Sequence, residues 1–269
     1  MAKAAKRIAF INRKGGVGKT NSAITGSCEL SKVGKVLLID NDPQGNTSLI
    51  LSSPEIQAQN TTASLYKRNP FITAYPATAR SSLVDEERAI VENLFISTAS
   101  DELEDIQANL PATAISYLTI ASEKAGDEYD FIVIDCPPSA GTEQSMVLAW
   151  ADYIIVPMLS DTFSIKAVDQ LFQNLNEIMR FRDSVPKIGI FQNMVTYARR
   201  GKVDSARKTM STKYPDYFLE HEVRLQDARE FDFSRGMFTP HHFEKLKGVE
   251  LHCVADMRNI VNSFILGGE

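Results

Sequence analysis

Cysteine is scarce in this sequence, and its positions suit neither cross-links nor a metal site. The 269 residues include only Cys28, Cys136 and Cys253, an odd number at wide spacing, which excludes a disulfide framework and a Cys-x-x-Cys metal site. The chain also lacks an uninterrupted apolar run of about 18 residues, as a membrane-spanning helix would need, and it begins without the apolar segment of a signal peptide. We therefore expect a soluble protein of a reducing cytoplasm.

Glycine and proline are also few. The chain contains 14 Gly and 11 Pro beside a hydrophobic fraction of 43%, a composition that excludes disorder for the chain as a whole. A chain of this length can bury about three quarters of its unfolded surface. Because no repeat, low-complexity tract or proline-rich linker divides the sequence, we expect residues 1–269 to form a single domain.

The charge is distributed unevenly. The formal net charge is −5, yet residues 180–213 contain nine basic and two acidic residues, which gives this segment +7 and leaves −12 for the remaining chain. The field near a surface is set by charges within about 8 to 10 Å. A basic patch on an acidic protein can therefore bind polyanions.

Apolar runs alternate with segments of helical spacing. The runs are short, β-branched and apolar on both faces, as in a parallel sheet covered by helices on each side, and they span residues 7–11, 35–39, 93–97, 131–134, 153–157 and 188–192. Helices are predicted at residues 21–32, 102–124, 142–150 and 162–181, and a helical stripe at 251–266 is expected to pack on the core. Residues 52–88 indicate only short helices and loops around prolines. The alternation predicts an α/β fold with a doubly wound, mostly parallel sheet and helices on both faces.

The strongest indication of function follows the first predicted strand. Residues 7–20 read Arg-Ile-Ala-Phe-Ile-Asn-Arg-Lys-Gly-Gly-Val-Gly-Lys-Thr, a strand that leads through a glycine loop into a helix. Glycines let backbone N–H groups approach an anion, and the helix adds the positive end of its dipole. Lys19 would neutralise β- and γ-phosphate oxygens, and the Thr20 hydroxyl would bind Mg²⁺. A plain glycine turn is the alternative, but a turn requires neither side chain.

Acidic residues end two other predicted strands. Asp40 and Asp42 follow one strand and Asp135 ends another, and ligands of open parallel sheets bind at the carboxyl ends of the strands. Two acids beside a triphosphate would repel it unless a divalent cation lay between them, so the pair indicates Mg²⁺ and an ordered attacking water. Asp135 would hold Mg²⁺ through a water. The alternatives are a capping turn for the pair and a helix cap for Asp135, and Cys136 is interpreted as a small packed residue.

The glycine loop resembles that of the ParA/MinD family of ATPases. Residues 14–20 read Lys-Gly-Gly-Val-Gly-Lys-Thr, and the position five residues before Gly18 is Arg13 where the general phosphate-loop pattern has glycine. This is the deviant Walker A form of that family. The resemblance is firm over residues 7–48 and 130–157, and Asp-Pro-Gln-Gly-Asn at 42–46 is similar to the short, Soj-like DNA-partitioning branch.

The resemblance implies a role for each residue of the loop and the switch segments. It implies that ATP and Mg²⁺ bind at the loop, and that Lys14 contacts the phosphates of a second subunit in an ATP-dependent homodimer. Asp42 then becomes the candidate for organising the hydrolytic water, Asp40 supports the Mg²⁺ shell, and Asp135 is the Walker B acid. The implied nucleotide contacts are Lys14, Gly15, Gly16, Val17, Gly18, Lys19, Thr20, Asn21 and Asn193.

Two further segments are interpreted as the pocket of the base. Asn193 follows a predicted strand and offers a donor and an acceptor to the adenine edge, although it could instead turn the chain. Residues 223–228 resemble the segment that lines the base pocket in ParA proteins. Where that segment usually reads Ile-Pro-Arg, this chain has His221 and Glu222, which leaves its contacts with the base open.

The basic segment fits the same family. ParA proteins hold DNA without reading its sequence, and phosphate contacts of that kind bring affinity without specificity. A solvated helix surface is the alternative. The candidate DNA-binding residues are Arg199, Arg200, Lys202, Arg207, Lys208 and Lys213.

The resemblance implies a nucleoid-associated cytoplasmic ATPase that binds nonspecific double-stranded DNA and is released when a ParB-like partner stimulates hydrolysis. An ATPase that positions a protein cargo on the nucleoid is the competing interpretation. A membrane-cycling regulator of MinD type is a third, but residues 257–269 carry only Arg258 as a cation, so we expect no stable membrane association. The loop begins within the first fifteen residues, so we expect no N-terminal helix-turn-helix domain.

Overall fold

The carboxyl ends of parallel strands define one edge of a central sheet. The computed structural model of the chain describes residues 4–80, 88–182, 184–225 and 252–267. Its strands are β1 (Lys6–Phe10), β2 (Val36–Asp40), β3 (Tyr75–Arg80), β4 (Arg88–Ser97), β5 (Phe131–Asp135), β6 (Tyr153–Met158), β7 (Lys187–Val195) and β8 (Phe218–Arg224). They form one sheet in the order β3-β4-β2-β5-β1-β6-β7-β8. All neighbouring strands are parallel except β3 and β4.

The six predicted strands are confirmed, and the two strands that were not predicted both lie at the edges of the sheet. β3 contains Pro76, which an edge strand tolerates because one side of its backbone needs no partner. β8 reads Phe-Leu-Glu-His-Glu-Val-Arg, and only Val223 within it is buried. Such segments lack the pattern of apolar residues on both faces that predicts a buried strand.

Helices connect the strands. They are α1 (Lys19–Leu30), α2 (Asn46–Leu51), α3 (Pro54–Gln57), α4 (Glu102–Ala108), α5 (Tyr117–Ala125), α6 (Thr142–Trp150), α7 (Thr162–Ile178), α8 (Arg200–Lys213) and α9 (His252–Ile260). Short 3-10 turns span Thr61–Tyr66, Ala112–Ser116, Gly126–Glu128, Met179–Phe181 and Tyr197–Arg199, and Val261–Leu266 is π-helical.

The prediction of one helix over residues 102–124 is wrong. α4 ends at Ala108, a 3-10 turn occupies Ala112–Ser116, and α5 begins only at Tyr117. Pro111 explains the break, because its ring removes a backbone donor and disfavours helical geometry at the residue before it. The segment 52–88 holds α3, a 3-10 turn and β3, so the expected short helices are joined by an edge strand.

The core has two layers, one on each face of the sheet. Ile8, Phe10 and Leu38 face α1 and α9 in one cluster, whereas Ile11 and Ile39 belong to the other, which also includes buried residues of α5, α6 and α7. The predicted packing of the C-terminal stripe is confirmed for its described part, since Val254, Met257, Ile260, Val261 and Ile265 are buried. Leu251 lies outside the described residues.

The strand order explains where the site forms. After β1 the chain continues to β2, which lies on one side of β1 with β5 between the two strands. After β5 the chain crosses β1 and forms β6 on the other side of β1. The carboxyl end of β1 is thus a point where the direction of winding reverses, and open α/β sheets bind ligands in the crevice at such a point.

Within the described part of the chain, none of the helices combines the length and hydrophobicity that crossing a membrane requires.

Arg182 caps a helix from a distance in sequence. Its guanidinium donates to the Leu148 and Ala151 carbonyls at the end of α6, at 2.6 and 2.9 Å, and these carbonyls have no partner within the helix. We expect Arg182→Ala to lower the free energy of unfolding by about 1 to 2 kcal/mol in urea. Arg180→Ala, an equal change at a nearby exposed arginine, should change it by less than about 0.5 kcal/mol. Equal effects of the two changes would contradict the capping role.

Candidate nucleotide-binding site

The loop between β1 and α1 has the geometry of an anion cradle. Gly16 and Gly18 adopt left-handed φ values of 69° and 85°. A Cβ atom at Gly18 would meet the Asn193 side-chain amide, and the left-handed φ strains any other residue, so this position requires glycine. Asn12 is buried and fixes the loop, because its Nδ2 donates to the Pro157 carbonyl at 2.8 Å and its Oδ1 accepts from Lys14 N at 2.9 Å.

Lys19 points back into this loop. Its side chain is buried, and Nζ donates to the Lys14 carbonyl at 3.2 Å. Burial lowers the pKa of Lys19, while the charge of Asp135 opposes that shift most strongly. A buried ammonium with one carbonyl partner can gain interaction energy from an anion in the loop.

Lys14 points elsewhere. Its Nζ lies 2.6 Å from Asp161 Oδ2 and 3.1 Å from Ser164 Oγ. Asp161 is the N-cap of α7, since its Oδ1 accepts from Ser164 N at 2.8 Å. The two lysines of the loop therefore have different environments, one inside the loop and one against the start of α7.

The sequence-predicted phosphate residues line a common cavity. This cavity has a volume of about 300 Å³ and lies over the loop, with Asn46, Pro138 and Met194 completing its wall. The predicted residues that line it are Gly15, Gly16, Gly18, Lys19, Thr20, Asn21 and Asp42. Val17 is buried, and its carbonyl accepts a hydrogen bond from Asn193. Lys14, Asp40, Asp135 and Asn193 do not belong to the wall.

Asp135 presents a free acceptor at the end of β5. It is fully buried, Thr47 Oγ1 donates to its Oδ2 at 2.8 Å, and its Oδ1 has no hydrogen-bond partner among the described residues. Burial raises its pKa to about 6, and the hydroxyls of Thr20 and Thr47 oppose this shift. Thr47 was missed in the sequence because nothing local connects it with a residue 88 positions away.

Asp40 has other contacts than those that the sequence suggested. It is fully buried opposite Asp135 in the sheet, and Ser48 donates to its Oδ2 through both N, at 2.8 Å, and Oγ, at 2.6 Å. Its Oδ1 accepts from Asp42 N at 3.3 Å. Burial first, and then the charge of Asp135, raise the pKa of Asp40 to about 8. These contacts hold the turn after β2, and the support of the Mg²⁺ shell by Asp40 stays a prediction.

The residues at the cavity fit Mg²⁺ as a partner of a bound triphosphate. No group of three or more His, Cys, Asp or Glu that could hold a metal occurs within residues 4–80, 88–182, 184–225 and 252–267. Mg²⁺ usually keeps several waters and takes one or two protein ligands beside substrate phosphates. The unpartnered Asp135 Oδ1 and the Thr20 hydroxyl are oxygen ligands of the type that this ion prefers. Thr20 lines the cavity, whereas Asp135 lies buried behind the wall next to the Thr20 hydroxyl.

A smaller cavity adjoins the phosphate cavity through shared residues. It has a volume of about 90 Å³ and is lined by Asn21, Asn193, Met194, Val223 and Arg224, among others. The Asn193 amide is engaged within the protein, because Nδ2 donates to the Val17 carbonyl at 2.8 Å and Oδ1 accepts from Met194 N at 2.9 Å. Asn193 thus joins β7 to the loop, and an adenine contact by this side chain stays a prediction. Residues 226–228 of the predicted base segment lie outside the described residues.

The basic residues lie on α8 and the turn before it, beyond these cavities. Buried Val203, Ala206 and Met210 attach α8 to the core. Three of the six predicted cations are paired: Arg200 and Arg207 with Glu222 at 2.7 and 2.6 Å, and Lys213 with Asp169 at 2.6 Å. The exposed side chains of Arg199, Lys202 and Lys208 have no ion pair with the described residues.

Cys136, next to Asp135, is confirmed as a packed residue. Its exposed fraction is 2%, and burial raises the pKa of its thiol. None of Cys28, Cys136 and Cys253, all of them within the described residues, forms a disulfide.

Comparison with known proteins agrees with this geometry. Residues 5–187 match the family model described as an AAA domain. The chain is 33% identical to the chromosome-partitioning ATPase Soj of Treponema pallidum, over 83% of this chain and 86% of that protein. It is 30% identical to the chromosome partitioning protein ParA of Caulobacter vibrioides, over 83% of this chain and 84% of that one.

Solved structures share the fold. A plasmid partition protein of Borrelia burgdorferi bound to AMPPNP superposes with a TM-score of 0.74 at 23% identity, covering 98% of this chain and all of that one. The complex of a McdA variant of Cyanothece with ATP gives 0.75 at 18% identity, covering 99% and 98%.

Lys19 should dominate the affinity for a triphosphate. We expect Lys19→Ala to weaken ATP binding at least 100-fold, because the buried ammonium is replaced by a methyl group inside the cradle, as measured by titration with a fluorescent ATP analogue. Lys187→Ala removes an exposed lysine at the start of β7, at the amino ends of the strands and so away from the loop. This change should leave the affinity for ATP unchanged. Equal affinities for ATP of the wild type and Lys19→Ala would show that Lys19 does not bind the triphosphate.

Proposed function

The chain belongs to the ParA/MinD family of ATPases, in its short Soj-like branch, and from this premise we propose that it is an ATP-hydrolysing DNA-segregation protein. Two subunits close face to face on ATP and Mg²⁺, the closed dimer binds nonspecific DNA, and hydrolysis releases it. The relatives named as chromosome-partitioning proteins support the biological role. The observation that carries the proposal is the position of Lys14.

Lys14 is available to a second subunit. It is absent from the wall of its own phosphate cavity, whereas Lys19 lines it. The Lys14 side chain is 25% exposed and pairs with Asp161, which is itself 39% exposed. An ion pair at such exposure contributes about 0 to 1 kcal/mol, so the triphosphate of a facing subunit, with several negative charges, can displace it. Lys14 of each subunit then contacts the phosphates bound by the other.

The remaining polar groups serve hydrolysis. Lys19 neutralises the phosphate oxygens, and the Thr20 hydroxyl and Asp135 would hold the metal. When bound, Mg²⁺ supplies positive charge that stabilises the developing charge on the phosphates. Asp42 lines the cavity and orients the attacking water.

DNA binding follows from closure. Each subunit contributes the basic residues of α8 and the preceding turn, and a dimer doubles the number of phosphate contacts. Doubling these contacts increases counterion release, which is the main source of nonspecific affinity. We assign the largest share to Arg199, Lys202 and Lys208, because Glu222 and Asp169 already neutralise Arg200, Arg207 and Lys213.

A ParB-like partner stimulates hydrolysis in this scheme. ATP then limits the time that the dimer spends on DNA, and the protein is cytoplasmic and nucleoid-associated. Purified protein with and without such a partner, assayed for phosphate release on DNA, tests this part of the proposal.

The role of Lys14 in trans can be separated from binding in cis. We expect Lys14→Ala to keep its ATP affinity within about twofold of wild type, because Lys19 and the loop are intact, and to lose ATP hydrolysis at least 100-fold. Affinity is measured by titration with a fluorescent analogue and turnover by phosphate release. Arg13→Ala, which removes the neighbouring cation of the loop, should keep both. A loss of affinity as large as that of Lys19→Ala would assign Lys14 to its own subunit's nucleotide and contradict the proposal.

The unpaired cations should matter more for DNA than the paired ones. We expect the double variant Arg199→Ala/Lys202→Ala to weaken binding to nonspecific duplex DNA in the presence of ATP and to flatten its salt dependence. The log–log slope should change by about 0.9 for each DNA phosphate that the variant no longer neutralises. Fluorescence anisotropy at several salt concentrations measures both the affinity and the slope.

The matched control is Arg200→Ala/Arg207→Ala, which removes the same charge but leaves Glu222 without its partners. We expect a smaller change in slope for this variant. If the salt dependence of Arg199→Ala/Lys202→Ala has the same slope as that of the wild type, these basic residues are part of a solvated surface and do not bind DNA.

A further inference from the structure

Three polar side chains from separate parts of the chain meet behind the turn after β2. They belong to Asn41 in that turn, Tyr66 at the end of the 3-10 turn Thr61–Tyr66, and Gln107 in α4. The Tyr66 hydroxyl donates to Asn41 Oδ1 in a short hydrogen bond. Gln107 Nε2 donates to the Asn41 carbonyl at 2.9 Å and lies 3.3 Å from the Tyr66 hydroxyl. The three side chains therefore form one connected group.

The group is buried where it meets the turn. Asn41 is 1% and Tyr66 is 8% exposed. Burial raises the pKa of Tyr66, so its hydroxyl stays protonated and acts as a donor. Asn41 Nδ2 has no partner among the described residues. The position of the Asn41 side chain therefore depends on the hydrogen bonds that its other polar atoms accept from Tyr66 and Gln107.

The peptide that joins Asn41 to Asp42 is held at both of its polar ends. Its carbonyl oxygen accepts from Gln107 at 2.9 Å, and its N–H donates to Asp40 Oδ1 at 3.3 Å. A peptide unit is planar, so two hydrogen bonds in opposite directions fix its orientation. The orientation of this peptide determines where the Cα of Asp42, and hence its carboxylate, lies relative to the phosphate cavity.

We infer that Tyr66 and Gln107 are positioning residues for ATP hydrolysis, which hold the Asn41–Asp42 peptide and thereby direct the Asp42 carboxylate toward the attacking water. This inference rests on the proposed role of Asp42. It extends the site to the surface helix α4, which is attached to the core by buried Leu103 while Gln107 reaches the turn. A displacement of α4 changes the hydrolysis rate without touching the nucleotide.

Tyr66→Phe tests the inference with the loss of one hydroxyl. We expect kcat for ATP to fall about tenfold, because the Asn41 side chain loses its donor and Asp42 is less well placed, while KM for ATP changes less than twofold. Tyr214→Phe is the matched control, since Tyr214 donates to Asp169 at 2.7 Å at the end of α8, away from the turn. It should leave both constants unchanged.

Two substitutions of Gln107 test whether a hydrogen-bond donor at this position restores kcat. Gln107→Leu removes the donor to the Asn41 carbonyl and should lower kcat as Tyr66→Phe does, whereas Gln107→Lys keeps a donor at this position and should restore at least half of the wild-type kcat. In an Asp42→Ala background, Tyr66→Phe should cause no further loss of hydrolysis.

Hydrogen exchange provides a readout that does not need hydrolysis. The amides of Asp42, Gln44 and Gly45 are hydrogen-bonded within the turn, and in Tyr66→Phe they should exchange at least fivefold faster while amides of α8 are unchanged. Unchanged kcat and unchanged exchange, or an equal loss of kcat in Gln107→Lys and Gln107→Leu, would overturn the inference. A wild-type protein that does not hydrolyse ATP would instead refute the proposed function, and the exchange data would still decide whether Tyr66 holds the turn.

Discussion

The contact between Lys14 and Asp161 is the interaction on which the proposed cycle depends. At 2.6 Å and partial exposure it is close enough to fix the lysine and weak enough to exchange. Asp161 also caps α7, so the same carboxylate connects the phosphate loop to the helix after β6. When Lys14 leaves for a triphosphate across an interface, the start of α7 loses a cation. In the proposed cycle the state of the nucleotide is thereby linked to the start of α7.

The buried charges of the site fit the same account. Lys19, Asp40 and Asp135 are all buried at the carboxyl edge of the sheet, and burial disfavours the charged form of each. The two aspartates differ in their partners: Ser48 and the turn occupy both oxygens of Asp40, whereas one oxygen of Asp135 has no partner among the described residues. One carboxylate therefore holds the turn that carries Asp42, and the other keeps an oxygen without a partner, which the proposed function assigns to Mg²⁺ and its water.

The parts of the molecule that the sequence predicted are those whose pattern is local. The six buried strands and the phosphate loop follow from continuous apolar runs and from the order of glycine, lysine and threonine, and both lie where they were expected. Edge strands such as β3 and β8 need no apolar pattern on both faces, so the sequence does not predict them. The helical spacing over residues 102–124 continues past Pro111, although the proline interrupts the helix there. Thr47, Asp161, Tyr66 and Gln107 act through partners 25 to 147 residues away. No local pattern predicts such pairs, which the topology of the sheet creates.

In the proposed cycle one nucleotide controls assembly, DNA binding and release, because ATP joins two copies of the chain through Lys14. The most direct test is the mass of the purified protein in solution by multi-angle light scattering, with Mg²⁺ and either ADP or a non-hydrolysable ATP analogue at saturation. We expect one subunit with ADP and two with the analogue. A protein that stays a single subunit when saturated with the analogue would contradict dimerisation through bound ATP.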